Sequence, residues 1–160
     1  MLKEIEIMKK ILFVLVLVMI PVIHATGDFR REMTEEEKAF LEEQRWKESW
    51  EGQWDDLLYA MIEVESHGNP RALGKANDRG ILQITPVLVR EVNRLSDIKY
   101  THDDAWDEEK SKEMFYIIAR HYCPDHDFEK MARIWNGGPQ GHHKSCTQGY
   151  WTKVQREMSI

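Results

Sequence analysis

No stretch of this chain alternates apolar and polar residues for long enough to build a central strand, and that confines the fold to helices. The helical segments are marked by their start and stop signals. A helix over residues 55–66 is halted by Gly68-Asn69-Pro70, since glycine and proline both resist helical continuation. A loop follows to about Gln83. Thr85 then caps a helix with Pro86 in its first turn, where the missing amide hydrogen costs nothing. That helix runs to Leu95, with Val87, Val89 and Val92 among its apolar positions. A third spans residues 107–122 and carries Met114, Phe115, Ile117 and Ile118. Short helices are expected near 127–135 and 149–157. The reading is one mostly α domain over residues 54–157, without repeats or low-complexity tracts.

Upstream of it, Thr34 followed by Glu37 is a capping box opening a charged helix over residues 35–48. Phe40, Leu41, Trp46 and Trp50 give that helix only a thin apolar side. Residues 26–53 therefore read as a helical N-terminal extension of the domain, its tryptophans used for packing or, on the other reading, as a sugar platform. Residues 1–25 have the layout of a secretory signal: Lys9 and Lys10, an apolar run from Ile11 to Ile23, and the small Ala25. Such a run makes about 20 Å of helix against a hydrocarbon core of about 30 Å, which favours a cleaved leader over a span. Met8 is an alternative start. The expectation is an exported protein, periplasmic or extracellular, with no stable membrane span after signal removal.

Formal net charge is −6, and residues 26–56 hold 5 basic and 11 acidic side chains, so the remainder is close to neutral. With no basic run there is no electrostatic footprint for nucleic acid. The acidic N-terminal helix leaves room for a partner in wall-associated protein machinery. Two cysteines, Cys123 and Cys146, predict one disulfide in an exported chain. Closing that loop restricts the unfolded chain by roughly 3 kcal/mol in the entropy model. His121, His126, His142 and His143 lie near the cysteines, but their spacing repeats no zinc pattern. No metal and no cofactor are expected.

The helix ending near Glu65 carries the chemistry. At 100° per residue, Leu58, Met61, Ile62 and Glu65 share one face, while Glu63 points the other way with Asp56 and Tyr59. Glu65 thus closes an apolar stripe at the negative end of a helix dipole. Both desolvation and the dipole favour its protonated form, which suits a general acid. The competing reading pairs Glu65 with a buried arginine such as Arg79 or Arg133, and helix geometry alone does not decide between them.

The flanking residues extend the argument. Glu65-Ser66-His67-Gly68-Asn69-Pro70 resembles the opening signature of the lytic transglycosylase family, and Gly80-Ile81-Leu82-Gln83-Ile84, with Pro86 beyond it, resembles that family's Gly-Leu-Met-Gln-Ile stretch. Trp135-Asn136-Gly137-Gly138-Pro139 looks like its Tyr-Asn-Ala-Gly-Pro motif, and Tyr150-Trp151-Thr152-Lys153-Val154 is similar to its Tyr-Val-x-Lys-Val end. The resemblance covers residues 54–155. It implies a lysozyme-like helical domain that cleaves the β-1,4 bond between N-acetylmuramic acid and N-acetylglucosamine in peptidoglycan glycan strands. Glu65 would be the single acid and base and the product a 1,6-anhydro sugar. Ser66 would steady the N-acetyl group, with Gln83, Trp135, Asn136 and Tyr150 lining the cleft; Ser66 as an ordinary helix-end residue, and Gln83 and Asn136 as braces of loop backbone, are the alternatives. Two departures stand out. Trp135 replaces a tyrosine, and Asn77-Asp78 replaces a usual Gly-Ala. Asp78 reads as a surface loop acid; as a second carboxylate it would favour hydrolysis, the alternative outcome. A non-catalytic glycan-binding module is the remaining alternative, and intact Glu65-Ser66 speaks against it.

Overall fold

A computed structural model describes residues 33–158, so the signal-like segment 1–25 and the start of the extension lie outside the described residues. The chain divides into two compact units between Glu43 and Gln44. The described part of the first is the opening of helix α1 (Glu35–Gly52). Its capping box is formed: Glu37 N–H donates to Thr34 Oγ1 at 3.2 Å, and Thr34 N–H donates to the Glu37 carboxylate at 2.8 Å. Three acids in the first turn also complement the positive end of the helix dipole. The helix runs four residues beyond its expected end.

The second unit holds the rest of α1 and five further helices: α2 (Asp55–Ser66), α3 (Pro86–Leu95), α4 (Glu108–Tyr122), α5 (Phe128–Gly137) and α6 (Gln148–Met158). Single 3-10 turns at His102–Trp106, Gly141–His143 and Ser145–Thr147 link them. Three of these five helices start at a side-chain cap. Thr85, Asp107 and Asp127 accept from Leu88, Lys110 and Lys130 N–H, satisfying amides that the first helical turn leaves free. The helix α2 stops where His67 and Gly68 enter the left-handed region at φ 52° and 71°. Helix α5 continues two residues past its expected end and takes Asn136 and Gly137 into its last turn. Among the described residues there is no strand, only isolated bridges Leu73–Arg79 and Arg79–Ile84, and no helix long and apolar enough to cross a membrane.

Helix α2 packs on α5 and α6, and α3 on α4. Its buried face of Leu57, Leu58, Ala60 and Met61 is what drives that packing; each large side chain withdrawn from water contributes about 2 kcal/mol. Trp54, fully buried just before α2, packs against the rings of Phe115, His126 and Phe128 at 6.0, 5.0 and 5.5 Å. Gly80 lets the loop reach the His102–Trp106 turn. A Cβ there would lie 1.8 Å from the Ala105 carbonyl oxygen, and φ is +73°.

The expected disulfide is not formed. Cys123 ends α4 with its side chain fully buried, whereas Cys146 is exposed in the Ser145–Thr147 turn, so the sulfurs face different surroundings. Burial pushes the Cys123 thiol up to about 12. The segment the bridge was to hold is fixed by other bonds. Arg133 donates to Thr147 Oγ1 and the Lys144 carbonyl, both at 3.1 Å, and Lys144 Nζ donates to the Gly137 carbonyl at 2.7 Å.

Candidate active site

Because α2 packs on α6, its last residues meet the first turn of that helix. The Tyr150 hydroxyl donates to Glu65 Oε1 at 2.8 Å. Burial raises the Glu65 carboxyl from 4.5 to about 7; the Tyr150 hydrogen bond opposes this, the negative charge of Asp78 adds to it, and the positive charge of Lys153 opposes it. A rise of that size is a preference of about 3 kcal/mol for the protonated form. Tyr150 itself, buried beside a carboxylate, is held well above its usual range and remains a donor. Near neutrality, therefore, Glu65 can both release and accept a proton.

The arginine alternative fails. Arg79 pairs with Asp103 at 2.5 Å, and Arg133 with Glu129 at 2.7 Å. Glu63 instead lies 3.8 Å from His67 Nδ1 at the helix end.

Of the other expected residues, Ser66, Gln83 and Trp135 serve as braces of one loop segment. The Ser66 hydroxyl donates to the Ile81 carbonyl at 2.8 Å. Gln83 Nε2 donates to the Ala72 and Gly80 carbonyls at 3.1 and 3.0 Å, from a backbone at φ +46° that few non-glycine residues adopt. Trp135 Nε1 donates to the Leu82 carbonyl at 3.3 Å and its ring packs 5.7 Å from Phe115. His102 adds a bond between its Nε2 and the Ile84 carbonyl at 2.8 Å. Three carbonyls of the Gly80–Ile84 stretch, those of Ile81, Leu82 and Ile84, are thus held from α2, α5 and the His102–Trp106 turn. Gln83 keeps only its amide oxygen for other partners, whereas Asn136 is exposed at the end of α5.

Two residues gain importance that the sequence did not assign. Asp78 is half-buried rather than a surface acid, and its charge acts on Glu65. Lys153 stands three residues after Tyr150 on α6, a spacing that puts both on one side of the helix and could have flagged it. Among the described residues no cluster of three or more His, Cys, Asp or Glu is arranged to hold a metal ion.

Residues 43–122, half of the chain, match the model of the transglycosylase SLT domain family. Among solved structures, the lysozyme of Tapes japonica is similar, with 25% identity and a TM-score of 0.53, the match covering 63% of this chain and 87% of that one. A comparison with curated proteins finds no match. The motifs around Trp135 and Tyr150 lie beyond the family-matched segment. The chain belongs to the transglycosylase SLT domain family and has the lysozyme-like fold.

Proposed function

We propose that the protein is an exported peptidoglycan lytic transglycosylase that cleaves the bond between N-acetylmuramic acid and N-acetylglucosamine, with Glu65 as acid and then base. The observation that supports this best is a single carboxyl raised to about 7 and bonded to a phenol that stays protonated. In the first step Glu65 gives its proton to the glycosidic oxygen as the C1–O bond breaks. The Tyr150 hydrogen bond strengthens as Glu65 becomes anionic, which stabilises the charge formed in that step. In the second, the muramic C6 hydroxyl attacks C1 and returns its proton to Glu65, closing the 1,6-anhydro ring. The enzyme ends as it began, and no water is consumed.

Ser66, Gln83 and Trp135 hold the Gly80–Ile84 stretch beside the acid; in this reading they position the sugar ring through that stretch, and Gln83 Oε1 and the Asn136 amide remain to bond the glycan. Zymography with purified Glu65→Gln and Glu63→Gln proteins tests the assignment. Clearing lost only in Glu65→Gln supports it, and equal clearing by both ends it.

A further inference from the structure

Helix α1 ends in the second unit, and two of its tryptophans, one turn apart there, have different surroundings. Trp50 is 7% exposed and is fixed against the rings of Trp54, Tyr116 and His126 at 5.8, 6.5 and 5.2 Å. Trp46 stacks on Trp50 at 6.4 Å with the planes 21° apart, yet it remains 56% exposed. One side of the outer indole thus rests on a buried ring, and the other is open to water. The Arg120 guanidinium reaches over from α4 and lies 5.4 Å from the Trp46 centroid and 5.2 Å from that of Trp50. A lone exposed aromatic is ordinary on a protein surface. Trp46 differs because Trp50 and Arg120 hold its ring in one orientation, so a ligand that stacks on it meets a face already set and costs little side-chain freedom. Arg120 is itself exposed, and no hydrogen bond or ion pair to another described residue engages its guanidinium. Tyr116, Ile117 and Cys123, three or four positions away, bring no competing acid. A guanidinium fork in that state suits a carboxylate.

We propose that Trp46 and Arg120 form a second binding site for the peptidoglycan strand, built from other residues than those that brace Glu65: the open face of Trp46 stacks on a sugar ring, and Arg120 pairs with a carboxylate of the peptide that the strand carries. The inference rests on the reading of the chain as a peptidoglycan enzyme. The C–H-lined face of a pyranose covers the indole and withdraws apolar area from water, while the sugar hydroxyls stay solvated. A peptidoglycan repeat offers both groups together, a ring and an acidic peptide attached to it. A neutral glycan offers only the ring. Holding the strand at a second point keeps the enzyme on its insoluble polymer between cleavages, because rebinding at the cleft is then intramolecular.

Binding by the full chain carrying Glu65→Gln, which on this account leaves the polymer uncut, tests the site. The protein is titrated with purified peptidoglycan sacculi and with chitin, whose sugar rings bear no acid, and the bound fraction is read by sedimentation. Added to that parent, Trp46→Ala should weaken binding to both polymers about tenfold, and Trp46→Tyr, which keeps a flat ring, should restore most of it. Arg120→Gln should weaken binding to sacculi about three- to fivefold, more at low salt than at high, and leave chitin binding unchanged. Unchanged sacculus binding in Trp46→Ala or in Arg120→Gln overturns the proposal, as does a Trp46→Tyr protein as weak as Trp46→Ala, or an equal loss on chitin in Arg120→Gln. Those results leave the Glu65 reading standing. If the Glu65→Gln parent still cuts sacculi, it is the reading of the acid that fails, while the differences among the variants still report on this site.

Discussion

The Tyr150 hydroxyl and the Glu65 carboxylate, 85 residues apart in sequence, meet at 2.8 Å and join the first turn of α6 to the last turn of α2. The bond favours the charged carboxylate and so works against the burial that raises it. Tyr150→Phe keeps the ring and removes the donor. The Glu65 carboxyl then titrates higher, and the limb of the pH–rate profile that reports it moves to higher pH. Loss of one hydrogen bond to a charged group, about 1.5–3 kcal/mol, should lower turnover roughly 10- to 100-fold. Rates measured across pH on both proteins check the prediction, and the shift in the limb separates it from a simple packing defect.

Stability should depend on pH through the same carboxyl. Its folded value, about 7, lies above the ordinary 4.5, so the folded state binds more protons between those values. Its contribution is therefore fully present below 4.5 and is lost as pH rises through 7. Glu65→Gln, which cannot ionise, should be more stable than wild type at pH 8 by up to about 3 kcal/mol and no more stable at pH 4. Urea unfolding at the two pH values measures the difference.

Gly80 is where the loop touches the His102–Trp106 turn, and no other residue fits. Gly80→Ala places its methyl on the Ala105 carbonyl and forces an unfavourable φ. The expected cost is about 2–4 kcal/mol of stability, with loss of activity because the Gly80–Ile84 stretch moves away from Glu65. Thermal melts and lysis assays follow the two effects.

The thiols give an independent check on the fold. In the native protein a thiol reagent should label Cys146 and not Cys123, and in denaturant it should label both without added reductant. A protein with no thiol to label before reduction contradicts the arrangement of α4 and the Ser145–Thr147 turn.

Much of the helical framework is legible from local signals, because caps and stops act within a few residues. Thr34 with Glu37, Thr85 with Pro86, and Gly68-Asn69-Pro70 each set a boundary where the structure has one. The side of α2 that Glu65 occupies follows from helical periodicity in the same way. What joins distant segments is not legible. The choice between an arginine and Tyr150 as the partner of Glu65 depends on how α2 and α6 pack, and the sequence allows both. Asp78 reads as a surface acid because a loop has no period from which to infer a side. The disulfide expectation failed for a related reason: two cysteines in one chain say nothing about whether one of them ends a helix inside the core.

The direct measurement is the titration of Glu65 itself, followed by carboxyl-carbon NMR in protein labelled at glutamate and assigned with Glu65→Gln. A midpoint near 7 is predicted from the burial of this side chain. A midpoint in the ordinary glutamate range, about 4.3, would mean that the carboxyl is solvated and fully ionised at neutral pH, with no proton to give the glycosidic oxygen.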